Sequence, residues 1–140
     1  MKVIGLDLGS KTIGVALSDS LGIFAHPLKT FYFRNNNLDE ALEIVADLIK
    51  EHEIGTIVLG LPKNMDGSIG FQAQYCLDFK DMLETELKMG VVMIDERLTS
   101  VIAERTMMSA DLDNRKRKKH VDKIAAAIIL QSYLDGAKKG

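Results

Sequence analysis

Apolar residues crowd the start of the chain, where Val3-Ile-Gly-Leu-Asp-Leu8 hardly alternates. This is the pattern of a central strand covered on both faces. Thr12 to Ser18 reads as a second strand, and the short link through Gly9, Ser10 and Lys11 makes it an antiparallel hairpin partner of the first. Leu28 to Phe33 is β-rich and predicts a third strand, ended by Asn35-Asn-Asn37. Asn37 followed by Glu40 has the spacing of a capping box. From Leu38 the period becomes helical, with Leu38, Leu42, Val45, Leu48 and Ile49 on one stripe, and Gly55 marks the helix end. Thr56 to Gly60 is a short buried strand, and 61–70 is a loop rich in Pro, Asn, Asp and Gly. Phe71 to Leu87 is again helical and closed by Gly90; Val91 to Glu96 is the last strand. Thr99 or Ser100 can cap a helix to about Met108. Ala110 to Lys119 reads as polar and mobile, and Val121 to Leu134 as a closing Ala/Ile-rich helix.

Three strands, then helix, strand, helix, strand and two helices define an α/β chain: a hairpin meander continuing into β-α-β crossovers, with a mixed sheet covered on both faces. The 140 residues suit one domain spanning 1–140, large enough to bury a core without staples. Cys76 is the only cysteine, so no internal disulfide or thiolate zinc cluster can form, which suits a reducing compartment. No apolar run approaches the roughly 20 residues of a membrane span. The opening strand pattern is not that of a secretory leader, so a cytoplasmic location without membrane contact is expected. The net charge of -2 excludes little, because Arg115, Lys116, Arg117, Lys118 and Lys119 form an unbroken basic run that a polyanion would feel locally.

Three acids interrupt apolar contexts: Asp7 at the end of strand one, Glu96 at the end of the last strand, and Asp122 at the head of the closing helix. Crossover connections make strands one, four and five parallel, so Asp7 and Glu96 belong to one carboxyl edge, where α/β sites form. Three converging carboxylates need a cation, and without Cys or His partners a hard ion such as Mg²⁺ or Mn²⁺ fits best. Two such ions about 4 Å apart would make a phosphodiester-cleaving site. Structural readings stand beside this one. Asp122 is favoured by the helix dipole alone, Asp95 and Glu96 could mark a polar strand exit, and Asp7 could be a hydrogen-bonded structural acid.

Four segments resemble the YqgF/RuvX family, Holliday-junction-resolvase-like proteins also described as pre-16S rRNA nucleases. They are Gly5-Leu-Asp7-Leu-Gly9-Ser-Lys-Thr-Ile-Gly14-Val-Ala16, Gly60-Leu-Pro62-Lys-Asn64-Met-Asp66-Gly67, Asp95-Glu96-Arg97-Leu-Thr99 and Val121-Asp122-Lys-Ile-Ala125-Ala126. Each alone is weak; four in order, over essentially the whole chain, are specific. The resemblance implies an RNase H-like fold with a five-stranded mixed sheet of order 3-2-1-4-5, strand two antiparallel. It implies catalytic, metal-holding acids at Asp7, Glu96 and Asp122, and a metal-dependent endonuclease trimming the 5′ end of the small-subunit rRNA precursor. A resolvase of branched DNA and a non-catalytic RNA-binding or transcription-associated factor are the alternatives, and a monomer or weak homodimer is expected. Asp7-Leu-Gly9 with Gly14-Val also resembles the phosphate loop of actin-like and sugar-kinase ATPases, which need two such lobes.

Further candidates for substrate contact surround the acids. Lys11 and Thr12, with the Gly9 turn, could offer N–H groups to a phosphate or simply make a hairpin. Asn64 lies in the loop after strand four, at the same edge. Arg97 could clamp a phosphate or hold a neighbouring carboxylate. The 115–119 run, which lacks interleaved aromatics, would contribute affinity more than base specificity. Cys76, among Tyr75, Leu77 and Phe79, reads as core rather than nucleophile.

Overall fold

The computed structural model describes residues 1–97 and 114–139; the side chains of 114–122 and 137–139 are not among the described features. The strands are β1 (Lys2–Leu8), β2 (Thr12–Ser18), β3 (Ala25–Tyr32), β4 (Ile54–Leu61) and β5 (Val91–Asp95). The helices are α1 (Leu38–His52), α2 (Phe71–Leu87) and α3 (Asn114–Lys139). The sheet order is β3-β2-β1-β4-β5. β1 pairs antiparallel with β2 and parallel with β4, and β4 pairs parallel with β5. The mixed sheet expected from the sequence is therefore present, with β1 at its centre.

Each strand's alternation sorts its residues between two cores. Ile4, Leu6, Leu8, Ile57 and Leu59 face α1 and α2, packing with Val45, Phe79 and Leu83. Val3, Val58, Val92 and Ile94 face α3, packing with Ala126, Ile129, Leu130 and Leu134. Helices thus cover both faces, and β1, β4 and β5 show the near-continuous apolar runs that double coverage requires.

α3 comes unusually close to the sheet. A Cβ on Gly5 would lie 2.6 Å from Leu130 Cβ and 2.9 Å from the Ala126 carbonyl oxygen. The Gln131 side chain fixes the direction of α3. Its Oε1 accepts the Ala25 N–H at 2.9 Å and its Nε2 donates to the Ile23 carbonyl at 2.9 Å, at the amino edge of β1. From Gln131 back to Ala126, α3 therefore climbs toward the carboxyl edge.

Several boundaries differ from the sequence reading. β3 begins at Ala25, not Leu28, and admits Pro27 because an edge strand has an outward side that needs no N–H donor. The register shift opposite Val15 and Ala16 passes over Leu28 as a bulge. α1 ends on Glu53 in the left-handed region rather than at Gly55, which belongs to β4; α2 likewise ends on Lys88 rather than Gly90. The capping box is half formed. Asn37 Oδ1 accepts the Glu40 N–H at 3.2 Å, but the Glu40 carboxylate takes the Arg34 N–H and Nε instead, each at 2.9 Å.

The largest correction concerns the closing helix. It starts at Asn114, so the 115–119 run is helical and not a mobile loop. Arg and Lys are good helix formers, and no Gly or Pro interrupts the chain from Asn114 to Asp135. β5 ends at Asp95 rather than Glu96, and Glu96 and Arg97 are already helical; the helix expected from Thr99 or Ser100 to Met108 lies outside the described residues.

Candidate metal centre at the carboxyl edge

Asp7 shares the α3-facing side of β1 with Val3 and Gly5, by the strand's two-residue period. Glu96 follows β5 directly as the first residue of a helical turn, and its carboxyl carbon lies over Gly60 beside Ile129, on the side that faces α3. Between their strands runs β4, so the two backbones stand two strand spacings apart, roughly 10 Å. The residue between them is Gly60, the β4 neighbour of Ile94 and next after Leu59, which pairs with Leu6. A Cβ on Gly60 would meet Glu96 Cδ at 2.7 Å and Ile129 Cδ1 at 2.7 Å. The Glu96 side chain therefore folds across the bare backbone of β4 toward Asp7. Both acids are partly buried.

Cys76 belongs to the core on the α1 and α2 side of the sheet. It is fully buried on α2, and its pKa is pushed up to about 12 by burial first, then by the charges of Glu96 and Asp7. The raised pKa keeps the sulfur protonated and poor as a ligand. The donors at this edge are thus carboxylate oxygens, a set that fits a hard divalent ion such as Mg²⁺ or Mn²⁺ and not a soft one. Among the described residues no group of three potential metal ligands forms. The third acid of the sequence reading, Asp122, lies on the α3 backbone one turn before Ala126, toward this edge, and its side chain is outside the described residues.

The N-terminus of α2 closes the edge from the other face. Gln72 Nε2 donates to the Leu8 carbonyl at 3.3 Å, one residue beyond Asp7. Phe71 beside it and Met65 in the preceding loop are 89% and 82% exposed, so this rim carries apolar side chains facing solvent.

The remaining candidates divide. Lys11 is exposed, and its carbonyl accepts the Phe33 N–H at 2.9 Å. The Gly9 N–H is taken at 2.7 Å by the Thr12 carbonyl, so the β1–β2 turn directs this donor inward. Asn64 knits its own loop, donating from Nδ2 to Ser68 Oγ at 3.0 Å, while Asp66 Oδ1 accepts from Ser68 N and Oγ at 2.9 and 2.6 Å. Arg97 is paired with Asp95, with Nη2 to Oδ2 at 2.6 Å. Arg115, Lys116, Arg117, Lys118 and Lys119 occupy the first turns of α3, and their side chains are outside the described residues.

Three contributors to the site stand outside the sequence candidates. Gly60 is one, although a glycine inside a buried strand signals close approach by another group. Gln72 carried no signal beyond its place at a helix start. Asp95 reads from the sequence as a polar strand exit, yet with Arg97 two residues on it has the spacing of a side-chain-to-backbone turn.

A profile of the RuvX family, described as Holliday junction resolvase, matches residues 1–136. Two relatives carry the name "Putative pre-16S rRNA nuclease". The protein of Clostridium acetobutylicum is 48% identical over 135 residues, covering 96% of this chain and 98% of that one. The protein of Oceanobacillus iheyensis is 49% identical over the same length and coverage. In structure the chain is similar to Thermus thermophilus RuvC solved with a Holliday junction substrate: TM-score 0.63 at 11% identity, over 99% of this chain and 96% of that one. It is similar also to the Fowlpox virus resolvase, with TM-score 0.59 at 14% identity over 98% and 99% of the two chains. The fold is that of the RNase H-like, RuvC-type nucleases. The chain belongs to the RuvX family.

Proposed function

We propose that this chain is a metal-dependent nuclease that cuts structured RNA, with the precursor of the small-subunit ribosomal RNA as substrate and the cytoplasm as its place of action. The observation that carries the reading is the leaning of Glu96 over side-chain-free Gly60 toward Asp7, at the carboxyl edge of a RuvC-like sheet. Asp7, Glu96 and Asp122 are the residues that would hold one or two Mg²⁺ or Mn²⁺. When bound, such ions supply Lewis acidity and charge neutralisation at the scissile phosphodiester. The chain's own part is to aim acceptor oxygens at that point and to hold the backbone of the nucleic acid. Arg115 to Lys119 attract the phosphates, an effect set by charge and sensitive to salt. The substrate is taken from the names of the relatives near 48% identity.

The family's description favours a second reading, cleavage of four-way DNA junctions by the same chemistry. One assay separates the two: a precursor rRNA fragment spanning the mature 5′ end and a mobile four-way DNA junction, each incubated with the protein and Mg²⁺ or Mn²⁺. RNA cut near the mature end with the junction intact is expected. Paired symmetric cuts in the junction with intact RNA would assign a resolvase, and tight RNA binding without cleavage under either metal would assign a non-catalytic factor.

A further inference from the structure

Glu96 stands between two residues that hold each other. Arg97 Nε donates to both oxygens of Asp95, at 3.1 and 2.9 Å, and Nη2 donates to Oδ2 at 2.6 Å. Asp95 Oδ1 also accepts the Arg97 backbone N–H at 3.0 Å, a side-chain-closed turn that bends the chain directly after β5. Asp95, by the strand's period, shares the side of Met93, whereas the Glu96 carboxyl lies with Ile129 on the opposite, α3-facing side. The pair therefore fixes the backbone of Glu96 from the side away from its carboxylate, while Gly60 receives the carboxylate on the other.

The guanidinium also reaches a second element. Nη1 donates to the Met65 carbonyl at 3.4 Å and lies 3.3 Å from where a Cβ on Gly67 would stand. Gly67 has φ +87°, a conformation side chains rarely adopt, so the loop presses its bare backbone on Arg97. That loop follows β4, the strand of Gly60. One side chain thus ties the ends of β4 and β5 together at the edge where Asp7 lies.

We propose that the Asp95–Arg97 pair is a positioning device: it sets the direction of Glu96 and fastens the 62–70 loop, so that Arg97 acts through these groups and not as a phosphate ligand. The proposal rests on the reading of Glu96 as a metal-holding acid. Of the two guanidinium edges that could grip a phosphate in two-pronged fashion, Asp95 engages Nε and Nη2, and Nη1 of the other edge is turned to the Met65 carbonyl. Lysine cannot take its place, because an ammonium lacks the planar fork.

The test compares Asp95→Asn, Arg97→Ala, Arg97→Lys and the Asp95→Asn/Arg97→Ala double variant in the full chain. Three quantities are read: Mn²⁺ affinity by calorimetry, amide hydrogen exchange in 62–70, and metal-free affinity for a precursor rRNA fragment. Each single variant is expected to weaken Mn²⁺ binding by about 10- to 100-fold, as loss of a residue supporting a metal ligand does. Each should speed exchange in the loop and leave RNA affinity within about twofold, with the double variant no worse than either single, as for residues acting as one unit. An Arg97→Ala variant that loses RNA affinity while Asp95→Asn does not would make Arg97 a phosphate ligand and overturn the proposal. So would loop exchange and Mn²⁺ affinity unchanged in every variant. Both readouts are free of cleavage, so this failure is distinct from failure of the nuclease reading, which only the cleavage assay registers.

Discussion

The Glu96 carboxyl carbon lies 2.7 Å from the point where a Cβ on Gly60 would stand. The residue type at position 60 thus decides whether Glu96 can cross β4. Gly60→Ala should push the carboxylate aside together with Ile129 Cδ1, which meets the same point. We expect Mn²⁺ affinity to fall at least tenfold with the circular dichroism spectrum unchanged. Wild-type affinity in this variant would show that Glu96 does not need the slot.

Gly5 serves packing instead. A methyl there would meet Leu130 Cβ and the Ala126 carbonyl, which are close to the α3 backbone and have little room to yield. Overpacking of this kind costs about 1–3 kcal/mol, so Gly5→Ala should lower the denaturant midpoint visibly. Because α3 also carries Asp122, metal affinity should fall with it.

The buried Cys76 thiol gives a pH signature. Its pKa is raised from about 9 to about 12 by burial, with Glu96 and Asp7 adding to it. The native state therefore holds this proton more tightly than the unfolded chain. The associated stability is fully present below pH 9 and is lost as pH rises toward 12. At pH 8 the native thiol should resist a disulfide reagent and react only at the rate of unfolding, read as the rise in absorbance with and without denaturant.

The basic run at the head of α3 makes an electrostatic prediction. Replacing Lys116 and Lys118 by Gln should weaken RNA binding at every sequence alike. The slope of log K against log salt should flatten by about 1.4, near 0.7 for each phosphate no longer neutralised on a single strand. An unchanged slope would remove the run from the interface.

Much of this architecture is legible in the chain because it follows local rules. The double-sided apolar run at Val3 to Leu8, the hairpin link at Gly9 to Lys11 and the helical stripe from Leu38 fix the sheet and its crossovers before any contact is known. The edge shared by Asp7 and Glu96 then follows from strand direction. What the pattern hides is set by tertiary contact. Glu53 and Lys88 take left-handed caps that glycine was expected to fill, so Gly55 is free to enter β4. Gly60 looks like any glycine until Glu96 is seen lying over it. The basic run looks like a loop by charge, but nothing in it breaks a helix, and α3 extends through it.

Asp7, with Glu96 and Asp122, is proposed to make this edge a metal-dependent phosphodiester-cleaving centre. The most direct measurement is single-turnover cleavage of a precursor rRNA fragment in Mg²⁺ by wild type and by Asp7→Asn, with RNA binding measured in parallel. A rate at least about 10³-fold lower is expected in Asp7→Asn, a loss of about 4 kcal/mol of transition-state stabilisation, with RNA affinity retained. Cleavage by Asp7→Asn at the wild-type rate would rule out Asp7 as a catalytic metal ligand.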